Sequence, residues 1–201
     1  MATTHYHAMS VEPQVGRPLV FAFHGTGGDE HQFFSLAQQL MPGGGVVSPR
    51  GDVSEMGASR FFRRTGEGVY DMDDLAARTS KMIAYVEAHK AQHPDAPVFG
   101  FGYSNGANIL ASVLMVRPDL FDKAALLHPL ITWDPGRVPG LAGKRVLVTA
   151  GEHDPITPWH KTTSLISWFE DQNARVTVET HDGGHELRQT EIQALAQFLN
   201  D

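Results

Sequence analysis

The chain has 201 residues, a length that suits one domain with a single sizeable core. Its formal net charge of -7 argues against a nucleic-acid partner, because phosphate binding needs a clustered basic face. The chain has no cysteine, which excludes a disulfide, a thiolate metal site and a cysteine nucleophile.

The N-terminal segment Met1–His7 has no basic start followed by an apolar run, so it does not resemble a signal peptide. No apolar stretch approaches the length that is needed to cross a bilayer. We therefore expect a cytoplasmic protein without a membrane partner. The densest basic cluster, Arg60, Arg63 and Arg64, is too short for a nucleic-acid surface but could bind one small anionic group.

In the first half of the chain, Pro18–Phe23 is predicted to be a buried strand that ends at the glycine-rich segment His24–Gly28. Asp29 is predicted to cap the N-terminus of an amphipathic helix that ends near Leu40. A short strand over Val46–Ser48 follows. The connection 50–70 has no periodic pattern, and a loop of this length in a compact domain is usually functional.

In the second half, apolar runs of strand length alternate with helical patterns. The predicted helices are 71–93, 104–117, 158–172 and 186–199, and the predicted strands are 97–103, 123–128, 144–150 and 175–180.

This alternation predicts an α/β fold, with a mostly parallel central sheet and helices on both faces. The connection 129–143 is rich in proline and glycine and is too short for a cap domain. We expect one domain over residues 1–201, in which residues 1–17 form an N-terminal extension that could be an edge strand.

A candidate nucleophile lies in Gly102-Tyr103-Ser104-Asn105-Gly106, which matches the pattern G-x-S-x-G. Alone, this pattern is a weak signal that can arise by chance. Here it follows a predicted strand and precedes a predicted helix, the context of a nucleophile elbow. The positive end of that helix would also favour negative charge developing at the serine.

A serine nucleophile needs an imidazole to take its proton and a carboxylate to orient that imidazole. In this type of fold the chain order is serine, acid, histidine. His185 follows the last predicted strand after two glycines, and His181 is its rival. Asp154 follows the strand 144–150, and Glu152 is the rival for the acid.

The tetrahedral intermediate of acyl transfer needs two hydrogen-bond donors. We expect one to be the backbone N–H of Asn105 and the other the N–H of Thr26 in the glycine-rich loop. No Gly-Lys-Ser/Thr sequence follows this loop, which disfavours a nucleotide-binding P-loop. We expect His24 to brace the loop rather than to react.

Residues 18–201 resemble the phospholipase/carboxylesterase family of α/β-hydrolases, and within it the compact bacterial hydrolases linked to hydroquinone or copper stress. The resemblance rests on six segments that are specific only together: 24–30, 49–51, 60–63, 102–108, 151–154 and 184–185.

The resemblance implies hydrolysis of an ester or thioester without a cofactor or metal. It also implies that the segment containing Arg60, Phe61 and Arg63 borders the substrate pocket, where Arg63 could pair with a substrate carboxylate or form a structural salt bridge. Thr26 departs from the acyl-protein thioesterases, which disfavours long lipidated substrates.

Without a cap the site should be open, so we expect a small-molecule ester as substrate. A homodimer is possible. Thioesterase or lysophospholipase-like activity and dienelactone hydrolysis are alternative activities, although dienelactone hydrolases usually have a cysteine at the elbow. The alternative outside enzymes is a catalytically silent hydrolase fold that binds a ligand.

Overall fold

The computed structural model describes residues 6–201. In chain order the elements are β1 (Ala8–Val11), β2 (Leu19–Phe23), α1 (Phe34–Leu40), β3 (Gly45–Pro49), β4 (Val53–Glu55), β5 (Ala58–Arg60), β6 (Arg64–Gly66), β7 (Val69–Tyr70), α2 (Met72–Gln92), β8 (Val98–Tyr103), α3 (Asn105–Val116), β9 (Lys123–Leu127), β10 (Arg145–Gly151), α4 (Trp159–Asp171), β11 (Arg175–His181) and α5 (Gln189–Asn200). Residues 1–5 lie outside this description. They include part of the predicted N-terminal extension and of the segment Met1–His7.

Seven strands form the central sheet in the order β1-β3-β2-β8-β9-β10-β11. All neighbouring pairs are parallel except β1 and β3, which pair antiparallel at one edge. The mostly parallel sheet predicted from the sequence is confirmed. The strand order reverses between β2 and β8, and crevices at such switch points are the usual ligand sites of open α/β sheets.

Helices cover both faces of the sheet, so the inner strands β2, β3 and β9 are buried on both sides. In β2, Phe21 and Phe23 face the core layer that contains α2, α3 and α4. Val20 and Ala22 face the opposite layer, which contains α1 and α5. This continuous apolar strand is typical of a parallel sheet covered on both faces.

Two helix starts differ from the prediction. Helix α1 begins at Phe34, because the carboxylate of Asp29 accepts the N–H of His31 in a tight turn and caps no helix. Helix α5 begins at Gln189 rather than at residue 186. The N–H of Arg188 donates to Glu191 at 2.7 Å, which fixes the start of the helix there.

The connection 50–70 is more ordered than predicted. It folds into two short antiparallel hairpins, β4–β5 and β6–β7. The connection 129–143 contains only one turn of 3-10 helix at Pro139–Leu141, too little for a cap domain. Within residues 6–201, no helix combines the length and the apolar character that a membrane span requires.

Candidate active site

Three side chains meet at the carboxyl edge of the sheet. Ser104 follows β8, Asp154 lies in the connection after β10, and His185 lies in the connection after β11. His185 Nε2 is 2.9 Å from Ser104 Oγ, and His185 Nδ1 is 2.5 Å from Asp154 Oδ2. The structure therefore brings together the nucleophile, base and acid predicted from the sequence, in the arrangement of a Ser-His-Asp triad.

Ser104 occupies the sharp turn between β8 and α3. Its φ of 53° and ψ of -115° lie where side chains are rarely found, and such strain is typical of a nucleophile elbow. A Cβ on Gly102 would lie 2.4 Å from the carbonyl oxygen of Gly106, and one on Gly106 would lie 2.4 Å from that of Phe23. Both flanking glycines are therefore needed for the close backbone approach at the elbow.

Asp154 is buried, with 5% of its surface exposed. Its Oδ1 accepts the backbone N–H groups of Ile156 and Thr157 at 2.8 and 3.0 Å. Burial raises the pKa of Asp154, but hydrogen bonds from His128, His185 and these two N–H groups outweigh it, so the net shift is downward. The carboxylate is thus held in the ionised form that orients an imidazole.

The rivals of these residues lie elsewhere. Glu152 is exposed, and its carboxylate lies 3.5 Å from Thr180 Oγ1. His181 is buried at the end of β11, with its Nε2 3.1 Å from Glu191 Oε2 and without the alignment of a hydrogen bond. Neither side chain lines the cavity that contains Ser104.

Thr26 and Asn105, the predicted oxyanion donors, line the same cavity as Ser104. Asn105 is the first residue of α3, so its N–H has no acceptor within the helix. The N–H of Thr26 has no acceptor among residues 6–201. The two elements that carry these groups lie side by side, because β2 and β8 are paired at the switch point.

The side chains of both residues are fixed by the last residue of β5 and the residue that follows it. Arg60 Nη1 donates to Thr26 Oγ1 at 2.7 Å, and the N–H of Phe61 donates to Asn105 Oδ1 at 2.7 Å. His24 has the bracing position expected of it, since its Nε2 accepts the N–H of Gly51 at 2.8 Å.

The cavity beside Ser104 has a volume of about 270 Å³. Arg60 and Arg64 line one wall. Tyr70 and Asn108 form another part of the lining: Asn108 Nδ2 donates to Tyr70 Oη at 2.8 Å, and Tyr70 Oη donates to the carbonyl of Leu130 at 2.9 Å. These bonds attach the β6–β7 hairpin to the rest of the site.

Two of the three residues that were predicted to border the pocket do not line it. Phe61 is fully buried in the core, and Arg63 points to the surface, where it pairs with Asp71 and Asp74 at 3.2 and 3.6 Å. Phe61 therefore does not border the cavity as expected, and Arg63 forms a structural salt bridge, the second of the two roles considered for it. Arg60 and Phe61 are both buried while Arg63 is exposed, and only Arg60 of the three lines the cavity.

His128 and Glu191 also belong to the site, although neither was predicted from the sequence. His128 Nδ1 is 3.0 Å from Asp154 Oδ2, and His128 Nε2 is 2.9 Å from Glu191 Oε1. His128 precedes Asp154 in the chain, whereas the base of this type of fold follows the acid. Its place directly after a wholly buried strand, next to β8 and β10, was the signal that could have pointed to it.

Among residues 6–201, two groups of side chains lie close enough to chelate a metal ion in principle. One is His128, His181 and Glu191, and the other is His128 with Asp154 and His185. Both groups are joined internally by hydrogen bonds or ion pairs. A metal would therefore have to displace the contacts that hold the triad.

The fold and the site define the class of this protein as an α/β-hydrolase. A scan of family models finds none that matches the chain. MhqD of Bacillus subtilis (strain 168), which is named as a hydrolase, is 35% identical over 185 residues, covering 91% of this chain and 92% of MhqD. The chain belongs to the family that contains MhqD, within the phospholipase/carboxylesterase type of α/β-hydrolases.

Solved structures agree with this assignment. The protein Atu2452 of unknown function from Agrobacterium tumefaciens str. C58 is 48% identical with a TM-score of 0.93, covering 100% of this chain and 98% of that one. The Bacillus cereus carboxylesterase is 32% identical with a TM-score of 0.92, covering 98% of this chain and 94% of its own.

Proposed function

We propose that this protein is a serine carboxylesterase that cleaves small esters through an acyl-enzyme intermediate, with Ser104 as nucleophile, His185 as base and Asp154 as the orienting acid. The observation that carries the proposal is the continuous chain of contacts from Ser104 Oγ to His185 at 2.9 Å and from His185 to Asp154 at 2.5 Å. The similarity to a carboxylesterase over almost the whole chain supports it.

The reaction would proceed in two balanced steps. Ser104 Oγ forms a bond to the ester carbonyl while His185 takes the hydroxyl proton, and that proton then passes to the departing alcohol. Water attacks the acyl-serine, again giving its proton to His185, which returns it to Ser104 as the acid leaves. The N–H groups of Thr26 and Asn105 would stabilise the oxyanion in both steps.

A fluorophosphonate probe tests the nucleophile. We expect the protein to be labelled once, and Ser104→Ala to abolish labelling and to lower kcat by about 10⁴-fold or more. Labelling that survives in Ser104→Ala would refute the assignment. If a broad panel of p-nitrophenyl esters and thioesters showed no turnover above that of Ser104→Ala, the silent ligand-binding fold would be the better description.

The cavity favours small polar substrates over long alkyl chains. Its volume of about 270 Å³ is at the low end for ligand sites. Arg60 and Arg64 share one carboxylate, that of Glu55, at 3.2 and 2.9 Å. The other nearby acid, Glu67, is 76% exposed and screened by solvent. We propose that the preferred ester carries a carboxylate in its acyl group.

Paired substrates test this preference. We expect kcat/KM for the mono-p-nitrophenyl ester of succinic acid to exceed that for p-nitrophenyl butyrate, and to fall about tenfold in Arg64→Gln through KM. Arg63→Gln is the matched control, because Arg63 lies in the same segment but outside the cavity. Equal losses in the two variants, or a higher rate for the neutral ester, would refute the preference.

A further inference from the structure

The candidate catalytic aspartate has a second histidine partner. His128 Nδ1 lies 3.0 Å from Asp154 Oδ2, the same oxygen that contacts His185 Nδ1 at 2.5 Å. His128 is the first residue after β9 and is fully buried. Its φ of 50° lies in the left-handed region, which histidine adopts more readily than most residues other than glycine. Contacts at its two nitrogens, rather than the backbone, hold the ring in place.

The other ring nitrogen of His128 contacts a second buried carboxylate. His128 Nε2 lies 2.9 Å from Oε1 of Glu191, which is also fully buried. Thr149 Oγ1 donates to the same Oε1 at 2.5 Å, and the N–H of Arg188 donates to Oε2 at 2.7 Å. Hydrogen-bond donors thus approach both oxygens of Glu191, which favours its ionised form.

The number of protons on His128 follows from this arrangement. A neutral imidazole carries one N–H and can donate to only one of two ionised carboxylates, whereas an imidazolium donates to both. Burial lowers the pKa of His128, but hydrogen bonds to Glu191 and Asp154 outweigh it and the net shift is upward. Burial raises the pKa of Glu191, but hydrogen bonds from His128 and Thr149 outweigh it and the net shift is downward.

We propose that His128 is a positioning residue that stays protonated over the working pH range, and that its imidazolium joins Asp154 to Glu191 and sets the pH at which His185 loses its proton. The inference rests on the proposed function, since it concerns the base of that reaction. His128 does not line the cavity, so it would act on substrate only through Asp154 and His185.

The charge around His185 depends on this cation. The ring centroids of His128 and His185 are 5.1 Å apart. The positive charge of the His128 imidazolium partly offsets the negative charges of Asp154 and Glu191. Removing it would make protonation of His185 easier. The acid limb of kcat/KM would then move to higher pH. The titratable or charged groups that face His128 from the packed elements are Tyr103, Asp154, His181, His185 and Glu191.

The protonation state can be read without turnover, by NMR of the intact protein labelled with ¹⁵N-histidine. We expect both nitrogens of His128 to stay in the protonated range from about pH 6 to about pH 9. The spectrum of His128→Gln identifies the signals. A His128 nitrogen with an unprotonated shift at about pH 8 would overturn the proposal, whether or not the protein hydrolyses esters.

Kinetics test the consequence. In His128→Gln we expect the acid limb of kcat/KM to move up by about one pH unit, and kcat to fall about tenfold with KM unchanged. The double variant His128→Gln/Glu191→Gln removes one charge of each sign, so its acid limb should return towards that of the wild type. An unmoved limb in the single variant, or an equal shift in both, would overturn the role. Absence of wild-type turnover would instead refute the proposed function.

Discussion

At the scale of single residues, Ser104 combines a strained backbone with the hydroxyl that we propose as the nucleophile. Its φ and ψ of 53° and -115° suit glycine rather than a residue with a Cβ. The flanking glycines leave no room for the turn to relax, since any added Cβ would meet backbone atoms at 2.4 Å. The orientation of the nucleophile is therefore maintained at a cost in folding free energy.

This strain predicts that the protein is more stable without its nucleophile. We expect Ser104→Gly to raise Tm by roughly 2 to 4 °C over Ser104→Ala, because glycine relieves about 1 kcal/mol of strain. Both variants lose the contact with His185, so alanine is the matched control. Thermal unfolding measures the difference, and an alanine variant as stable as the glycine variant would show that the turn is not strained.

At the scale of elements, the phenol of Tyr70 joins the β6–β7 hairpin to the helix and the connection that line the site. Tyr70 Oη donates to the carbonyl of Leu130 and accepts from Asn108 Nδ2. Asn108 Oδ1 in turn accepts the N–H of Leu130 at 2.7 Å. One helix residue thus joins the hairpin to the connection after β9, and the cavity wall depends on both.

Tyr70→Phe should loosen this wall. Two polar groups lose their partner, which costs about 1–3 kcal/mol. We therefore expect a lower Tm and a higher KM with little change in kcat. Tyr6→Phe is the matched control, because the hydroxyl of Tyr6 is buried without a partner among residues 6–201 and its removal should be neutral or stabilising. Equal effects of the two substitutions on KM would contradict this role.

The local elements were predictable where the signal lies in adjacent residues. The elbow could be predicted because Gly102, Ser104 and Gly106 form one short pattern between a strand and a helix, although the close contact that requires Gly106 is with Phe23 on β2. The start of α1 could not, because Asp29 forms a tight turn with His31 instead of a cap. The hairpins of the connection 50–70 have strands of only two or three residues, too short to show an alternating pattern.

Contacts between distant residues limited what could be predicted of the site. The positions of the three candidate catalytic residues could be predicted, because each follows a strand and parallel strands end at one edge of the sheet. These residues are Ser104, Asp154 and His185. Glu191 contacts His128 across 63 residues and lies on a helix with many polar neighbours, so nothing local distinguishes it. The side-chain directions of Phe61 and Arg63 could not be predicted, because an irregular segment has no period that shows which way each side chain points.

At the scale of the whole molecule, several carboxyl groups are held ionised by the fold. Hydrogen bonds from Arg50 lower the pKa of Glu30 to about 2, and those from Arg117 lower that of Asp119 to about 2. The pKa values of Asp154 and Glu191 are also lowered. In the unfolded chain such carboxyl groups have a pKa of about 4. Their contribution to stability is therefore complete above that pH and is lost as the pH falls towards about 2.

We therefore expect the urea midpoint to rise between about pH 2 and about pH 5. The contribution of His128 to stability depends on pH in the opposite direction, because folding raises its pKa. This contribution is complete below about pH 6.5 and is lost as the pH rises through the pKa of the folded state. Urea titrations from about pH 2 to above about pH 9 measure both limbs. Glu30→Gln should flatten the acid limb, and an acid limb as steep as that of the wild type would contradict the assignment.

The triad is assembled from three connections that follow three different strands, β8, β10 and β11. No fragment that lacks one of these strands can hold the hydroxyl, the imidazole and the carboxylate in register. Covalent capture of Ser104 would therefore count the fully assembled molecules in a mixture. The fraction of molecules that a mechanism-based probe labels would measure the yield of refolding, even before a natural substrate is known.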